Sequence, residues 1–553
     1  MEFHPRPELK RDSITLLHGL WDYAIINKDE VKDAAEVNWQ GKINVPYSPE
    51  APLSGVNKRL LPSQELWYRL NFNYEDIEED RLFLIAKAID HSAEIFLNGI
   101  SLLTHEGGYT PIECELTDYI KVGENTLCIK VLDPSDKGPY QRGKQTLKPH
   151  GMWYRCQSGI WQSIYLERRK KVHITSFRAE TIEDLKHIRI LITLSENKEL
   201  PCFIQFNSTN QLLITGRENI IKVQNPHLWS PEDPYTYPIT LTIGDDNVES
   251  YITMRYVSIE NGRITLNGKT YFCNGILDQG YNSKGLYTFT PQEMFSDITL
   301  IKSLGFNTIR KHIKIEESYY YYLCDKIGLL VWQDMVSGGN PAFIVSTLPA
   351  VYQSFCLKDT KHKALFGRKD IKGRKEFEKN IEETVNALSF FNCIILWTLF
   401  NEGWGQYESA RLTSYLRDLD PTRLIDSTSG WHDQGCGDFL SKHIYFSDYT
   451  YEKDKYNRAV ILSEFGGVIY RIPGHVYNEK DFVYKRVESK EEYLNKLKDL
   501  FDNIRVQKEK GLTAAIYTQT SDVEEESNGF ITYDREVVKA PIEKLKEIIF
   551  IQN

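Results

Sequence analysis

The chain has 553 residues, of which 41% are hydrophobic and 26% are charged. This length exceeds what one ordinary hydrophobic core supports and indicates several domains. No stretch approaches the roughly 18 consecutive apolar residues of a membrane span, which argues against a membrane protein. The formal net charge is -10, with acidic and basic residues interspersed. Nucleic acid and anionic membranes are therefore poor candidate partners, because both bind basic patches.

The first residues and the cysteines predict a cytoplasmic protein. The start, "MEFHPRPELKRDSITLLHG", has charges and prolines where a signal peptide needs an apolar stretch. Nine cysteines, an odd number, are scattered without a CxxC pair. This pattern encodes neither a disulfide framework nor a zinc site, and we interpret the cysteines as core residues in a reducing compartment.

Residues 1–258 have the pattern of two all-β domains. Up to residue 168, short alternating segments such as "LWYRLNFNY", "AEIFLNGISL" and "TLCIKVLD" are separated by Gly, Asn and Asp turns. Residues 169–258 repeat the pattern on a smaller scale, in "HIRILITLS" and "YPITLTIG" for example. The size of this second region suits a seven-stranded immunoglobulin-like β-sandwich.

The sequence pattern changes in residues 259–553, where short apolar runs alternate with helical segments. One helix start is marked by a capping Thr290, Pro291 in the first turn and Glu293. Buried strands alternating with helices predict one (β/α)8 TIM barrel, whose active site lies at the carboxyl ends of the strands. The eight candidate strands are 271–277, 306–312, 329–334, 393–402, 423–429, 442–446, 459–467 and 513–522.

Two carboxylates occupy matching places in this barrel. Glu402, in "IILWTLFNEGWGQ", ends the fourth strand, and Glu464, in "AVILSEFGG", lies in the same place on the seventh. Two carboxyl groups about 5 to 5.5 Å apart hydrolyse glycosides with retention of configuration. The alternative is that each glutamate is a strand-end residue paired with a nearby cation.

The order and spacing of seven stretches resemble glycoside hydrolase family 2, the β-galactosidases, β-glucuronidases and β-mannosidases, over essentially the full length. The stretches are "MWYRCQSGIWQSIYLE", "LNGKTYFCNGILDQG", "LGFNTIRKH", "CDKIGLLVWQD", "LWTLFNEGWGQ", "LDPTRLID" and "LSEFGG". The resemblance implies a jelly-roll sugar-binding-like domain, a sandwich and a catalytic barrel. It also implies that Glu402 is the acid/base and Glu464 the nucleophile.

Further site residues follow from the resemblance and from their places at strand ends. Asn401 matches the asparagine that hydrogen-bonds the sugar 2-hydroxyl, and Tyr445 matches the tyrosine that hydrogen-bonds the nucleophile. Arg310 and His312 share one strand face because their spacing is two. The candidates for contacts with sugar hydroxyls are Trp431, His443, Asp334, Asp278, Arg310 and His312. The alternative for each is an ordinary core or strand-end residue.

The loop 134–155 is too long for an ordinary hairpin connection. A first-domain loop reaches the barrel mouth in the family, which makes Arg142, Lys144 and Gln145 candidates for substrate contact. The alternative is a solvated loop.

Two motifs bear on the identity of the sugar. Glucuronidases of the family carry an Asn-x-Lys element before the segment that is "GFITYDR" here, whereas this chain has Glu526, Ser527 and Asn528. The metal ligands that large β-galactosidases carry after strand three are absent from "WQDMVSGGN", so we expect no metal and no cofactor. The favoured function is an exo-acting retaining β-glycosidase of the bacterial, β-galactosidase-like type. The alternatives are a β-mannosidase, a β-glucuronidase or a non-catalytic carbohydrate-binding protein. The expected partner is a carbohydrate β-glycoside, and a homo-oligomer remains open.

Overall fold

The computed structural model describes residues 2–75, 80–207, 209–350, 355–480 and 484–553. Two all-β regions come first, and parallel strands that alternate with helices follow them. This order confirms the predicted fold class of a jelly-roll, an immunoglobulin-like β-sandwich and a TIM barrel. The boundaries 1–168, 169–258 and 259–553 remain our proposal for the division into domains.

The first region consists of two antiparallel sheets around a shared apolar core. Trp21, Tyr68 and Ile95 from one sheet pack with Leu84 and Leu166 from the other. In order across the larger sheet, the strands are Gly41–Val45, Gly19–Asn27, Gln64–Tyr74, Gly123–Leu132, Ser92–Leu97 and Ile100–Glu106. The smaller sheet has the order Ile14–Leu16, Ile164–Arg169, Arg81–Ala86 and Ile112–Glu115. Two short pairs are Gln145–Thr146 with Tyr154–Arg155 and Gly159–Ile160 with Ile89–Asp90.

The second region is a sandwich of three and four strands. Its strand Pro201–Phe206 alternates between exposed and buried residues, as a strand with one face on a core does. The three-stranded sheet has the order Ile174–Thr181, His187–Leu194 and Glu218–Lys222. The four-stranded sheet has the order Thr209–Ile214, Pro201–Phe206, Tyr237–Ile243 and Asp246–Ile252. A further small sheet, Val257–Glu260, Arg263–Leu266 and Lys269–Thr270, leads to the barrel.

All eight predicted barrel strands are present, and each overlaps its predicted range. The strands are β1 (Cys273–Asp278), β2 (Thr308–Lys311), β3 (Leu330–Asp334), β4 (Ile394–Thr398), β5 (Leu424–Asp426), β6 (Phe439–Ile444), β7 (Ala459–Phe465) and β8 (Ala514–Tyr517). They pair in parallel in the order β5-β4-β3-β2-β1-β8-β7-β6. Because all strands run the same way, their carboxyl ends meet on one face of the barrel.

The helices follow the strands less regularly than predicted. They are α1 (Pro291–Ser303), α2 (Ser318–Ile327), α3 (Phe343–Ser346), α4 (Ile371–Leu388), α5 (Ser409–Leu419), α6 (Lys490–Lys510) and α7 (Ile542–Ile549). Short 3-10 helices lie at Pro7–Leu9, Ala34–Glu36, Pro52–Ser54 and Leu348–Ala350. Helix α1 begins as predicted, since the Thr290 hydroxyl accepts a hydrogen bond from Glu293 N at 3.2 Å and Glu293 accepts one from Thr290 N at 2.7 Å.

The expectation that a helix follows every strand is wrong at two places. Residues 427–438, after β5, and 445–458, after β6, are fully described and contain no helix. The first of these segments includes Gly430, Gly435 and Gly437, all at positive φ. Glycine favours such turns and disfavours a helix, so the chain passes from β5 to β6 through a turn.

The prediction that the cysteines are core residues holds except at the barrel surface. All nine are free thiols, and seven of them are buried. Cys356 is exposed and Cys436 is half-buried, so the interpretation as core residues is wrong for Cys356. In the described part of the chain, no helix combines the length and the apolar composition that a membrane crossing requires.

Candidate active site

Glu402 lies in a tight turn just after β4. Its φ is 53°, and Gly403 and Gly405 follow at 68° and 70°. A Cβ on Gly403 would lie 2.8 Å from His432 Cδ2 and 3.0 Å from Val345 Cγ1, so the turn needs glycine there. A left-handed glutamate is a strained feature of the kind that concentrates at functional sites. The Gly-Trp-Gly sequence therefore forms a turn beyond the end of β4 that leaves the carboxylate at the carboxyl end of the barrel.

Glu464 lies within β7, close to Glu402. One carboxylate oxygen of each residue and one ring nitrogen of His443 all lie within 4.8 Å of one another. The Tyr445 hydroxyl is 2.7 Å from Glu464 Oε2 and 3.1 Å from Glu402 Oε1. The carboxyl groups of Glu402 and Glu464 thus lie close together and share Tyr445 as a neighbour.

The surroundings of Glu464 favour its ionised form. Burial by itself raises the pKa of a carboxyl group. At Glu464, the electrostatic effects of His443 and Arg310 outweigh burial, and the pKa of the carboxyl lies well below its ordinary value. His312 and Lys144 act in the same direction with smaller effects.

Arg310 organises the layer of side chains beneath the two carboxylates. Its fully buried guanidinium donates to both oxygens of Asp334 at 3.0 Å, to Glu464 Oε1 at 3.0 Å and to Asn401 Oδ1 at 2.8 Å. His312 Nδ1 lies 2.8 Å from Asp334 Oδ2. Among the residues predicted to contact sugar, Arg310 and Asp334 are therefore engaged mainly with protein partners.

Asp278 belongs to a separate group of buried charges. It accepts hydrogen bonds from Lys311 Nζ at 2.9 Å and from the Tyr320 hydroxyl at 2.8 Å. Burial opposes ionisation, but Lys311 outweighs it and lowers the pKa of Asp278 to about 2. This carboxylate ties β1 to β2 and α2.

His443 and Trp431 lie beside the carboxylates. The His443 side chain is fully buried, with Nδ1 3.0 Å from Glu402 Oε1 and Nε2 2.9 Å from Ser429 Oγ. The ring of Trp431 contacts it edge to face at 5.4 Å between centroids. Trp431 Nε1 is buried and has no hydrogen-bond partner in the described residues, which leaves it as a donor.

The loop 134–155 packs on the barrel mouth. The backbone N–H groups of Arg142 and Gly143 donate to Ser337 O at 3.1 and 3.2 Å. Gln145 points away into the first domain, where its Nε2 donates to Asp90 Oδ2 at 2.9 Å and to the Tyr109 hydroxyl at 2.8 Å. The Arg142 guanidinium lies over the Trp404 ring at 5.8 Å. Of the three candidates, Lys144 is half-buried, whereas Arg142 and Gln145 are buried.

Sequence analysis did not name Glu526 among its candidate site residues, although the structure buries it beside the mouth. This carboxyl is 1% exposed, bonds to the Tyr154 hydroxyl, and lies 3.5 Å from the Tyr484 hydroxyl. The Tyr484 ring in turn contacts the Tyr445 ring at 5.7 Å. Glu526 follows β8 in "SDVEEES", so the rule that strand ends carry functional residues could have found it.

Within the described parts of the chain, two groups of side chains have the composition of a metal-ligand set. The first is Glu402, His443 and Glu464, and the second is His475, Asp534 and Glu536. In the first group, both His443 nitrogens already lie within hydrogen-bonding distance of Glu402 and Ser429. Hydrogen bonding within the protein thus accounts for the arrangement.

Models of glycosyl hydrolase family 2 match three consecutive parts of the chain. The sugar binding domain matches residues 43–169, the family 2 domain residues 168–255, and the TIM barrel domain residues 257–553. A β-galactosidase of Halalkalibacterium halodurans is 26% identical over 384 residues, which cover 64% of this chain and 35% of that protein. The chain spans about a third of the length of the first curated relatives that it matches.

Solved structures share the fold over nearly the whole chain. A β-D-glucuronidase of Dictyoglomus thermophilum superposes with a TM-score of 0.75 at 19% identity, covering 98% of both chains. A family 2 β-galacturonidase of Eisenbergiella tayi bound to galacturonate superposes with a TM-score of 0.72, also at 19% identity and 98% of both chains. At this identity the likeness establishes the fold. The domain matches place this chain in glycosyl hydrolase family 2.

Proposed function

We propose that the chain is an exo-acting retaining β-glycosidase that removes terminal non-reducing β-linked sugars by double displacement. The observation that carries the proposal is the separation of Glu402 and Glu464, whose nearest oxygens fall within 4.8 Å. Inverting enzymes need carboxyl groups about 6.5 to 9.5 Å apart, because a water molecule must fit beside the sugar. The shorter separation favours direct attack by a carboxylate.

The two carboxyl groups take different roles because their surroundings differ. Arg310 and His443 stabilise Glu464 as an anion, and an anion is the form that attacks the anomeric carbon. Glu402 is half-buried in the turn after β4, where it protonates the leaving oxygen in the first step. It then removes a proton from the water that hydrolyses the glycosyl–enzyme intermediate.

Asn401 is the proposed partner of the sugar 2-hydroxyl. Arg310 can only donate hydrogen bonds, so the atom of Asn401 that faces it at 2.8 Å must be the amide oxygen. The amide NH2 remains as the donor for a substrate hydroxyl. Tyr445 holds both carboxylates through one hydroxyl, and Trp431 supplies an indole N–H.

A β-galactoside is the proposed substrate. Support comes from the curated relatives, several of which are β-galactosidases, and from the absence of the Asn-x-Lys element before "GFITYDR". A β-mannosidase or a β-glucuronidase of the same family is the alternative, and a non-catalytic carbohydrate-binding protein on the same fold is the competitor from another class.

Turnover on a panel of 4-nitrophenyl β-glycosides tests the proposal. We expect hydrolysis of the β-galactoside in preference to the β-mannoside and the β-glucuronide. Proton NMR of the same reaction should show the β-anomer as the first product, because two displacements at the anomeric carbon restore its configuration. An α-anomer as first product would refute the proposed mechanism, and no turnover of any glycoside would refute the enzyme.

Replacing His443 with glutamine should move the acidic limb of the pH profile of kcat/KM to higher pH. Burial raises the pKa of Glu464, and His443 is the strongest influence that lowers it. Without His443, Glu464 becomes protonated at a higher pH, so activity is lost sooner as the pH falls. His187→Gln, in the second β region, is the matched control. If the limb stays in place in both variants, His443 does not set the charge of Glu464.

A further inference from the structure

Lys144 is held at the edge of the barrel mouth by the packing of the residue before it. Gly143 has φ 59°, and a Cβ there would lie 3.1 Å from Ile313 O and 3.2 Å from the hydroxyls of Tyr109 and Tyr287. Ile313 lies just beyond β2, next to His312. Glycine thus lets the first-domain backbone approach the barrel closely and fixes the point from which the Lys144 side chain extends.

The Lys144 ammonium has no ionic partner in the described part of the chain. No salt bridge or side-chain hydrogen bond involves it there, and Nζ lies 5.7 Å from the centroid of the Tyr154 ring. Among the other cations near the mouth, Arg310 pairs with Asp334 and Lys311 with Asp278, while the buried Arg142 donates to Asn340 Oδ1 at 2.8 Å. A half-buried ammonium without an acceptor is unfavourable, and a ligand oxygen would satisfy it.

Glu526 lies beyond Tyr154 on the same side of the mouth. The Tyr154 hydroxyl bonds to the Glu526 carboxyl, while its ring contacts Lys144. Burial raises the pKa of Glu526, and Lys144 is the strongest influence opposing that rise. The Lys144 charge also lowers the pKa of His312 and of Glu464. Lys144 is therefore close enough to act electrostatically on residues that follow β2, lie in β7 and follow β8.

We propose that Lys144 and Glu526 form a glycone-binding pair for a neutral pyranose. The Lys144 ammonium donates hydrogen bonds to hydroxyl groups of the sugar, and the Glu526 carboxyl exchanges hydrogen bonds with them. The proposal rests on the proposed β-glycosidase function and names two residues that select its sugar. Lys144 comes from the first β region and Glu526 from the segment after β8, so the sugar site is complete only when the first region is docked on the barrel.

The charges around the mouth favour a neutral sugar over a uronate. The Lys144 ammonium, which has no salt bridge in the described residues, shares the mouth with the carboxyl groups of Glu402, Glu464 and Glu526. A uronate would bring a fourth carboxyl group into this surface and be repelled by the others. An ammonium and a carboxyl that share a small space supply both a donor and an acceptor, which a hydroxyl group uses together.

Lys144→Met tests the pair, with Lys148→Met as the matched control. Lys148 is an exposed lysine of the same loop. Each variant is assayed on 4-nitrophenyl β-galactoside, on its 3-, 4- and 6-deoxy analogues and on the β-glucuronide, after thermal unfolding has shown that all proteins fold alike. For Lys144→Met we expect kcat/KM on the parent galactoside to fall about 10- to 100-fold, the loss typical of a hydrogen bond to a charged group. Lys148→Met should stay within about twofold of the wild type.

The deoxy analogues distinguish a sugar contact from a general disturbance. The wild type should discriminate against the analogue that lacks the hydroxyl bound by Lys144, and Lys144→Met should lose that discrimination. Glu526→Gln, which keeps the size of the side chain, should weaken discrimination at the same or an adjacent hydroxyl. Unchanged discrimination in Lys144→Met would overturn the pair while leaving the β-glycosidase intact. A wild type that prefers the glucuronide and loses that preference in Lys144→Met would overturn the neutral-sugar assignment, and a wild type inactive on all glycosides would overturn both proposals.

Discussion

Glu464→Ala is expected to abolish steady hydrolysis, with kcat falling by about 10⁴-fold or more, as losses of catalytic nucleophiles do. The reason is that, within the described site, no other carboxylate beside Glu402 accepts hydrogen bonds from both Arg310 and Tyr445. Steady-state rates on 4-nitrophenyl β-galactoside measure the loss. Glu464→Gln, which can still accept a hydrogen bond from Arg310, should be equally inactive, because a neutral amide does not displace the aglycone.

Azide identifies the vacated position. In Glu464→Ala, azide can occupy the space of the lost carboxylate and attack the anomeric carbon, giving a glycosyl azide of inverted configuration. Glu452→Ala, at an exposed position between β6 and β7, is the control and should keep wild-type rates without any response to azide. Full activity in Glu464→Ala would remove Glu464 from the mechanism.

Glu402→Ala is expected to make the rate depend on the leaving group. A 2,4-dinitrophenolate departs without a proton, so the first step on that glycoside should lose little rate, whereas alkyl glycosides or disaccharides should lose about 10²- to 10⁴-fold. Azide should accelerate turnover of the activated substrate, since it needs no general base to attack the intermediate. The product should be the azide of retained configuration, because Glu464 has already inverted the centre once.

The two glutamate variants together assign the roles. If Glu402→Ala gave the inverted azide and Glu464→Ala gave the dependence on the leaving group, acid/base and nucleophile would be exchanged. An equal loss on activated and unactivated glycosides in Glu402→Ala would show that this residue does not act through proton transfer.

The amino-acid sequence by itself determined the elements and the positions of the two carboxylates. Apolar runs of strand length identified all eight barrel strands, and Thr290, Pro291 and Glu293 identified the start of α1, because periodicity and capping are local properties of the chain. Parallel strands bring their carboxyl ends to one face, so the places of Glu402 and Glu464 at strand ends already implied that they meet.

Only the tertiary structure decided which neighbours each side chain has. The loop 134–155 offered Arg142, Lys144 and Gln145 on equal terms, and the fold turned Gln145 towards Asp90 while leaving Lys144 at the mouth. The charge of Glu464 likewise depends on Arg310 and His443, which are 154 and 21 residues away in the sequence. Hydrogen bonds and electrostatic effects act over a few ångströms in space, and sequence separation gives no measure of that distance.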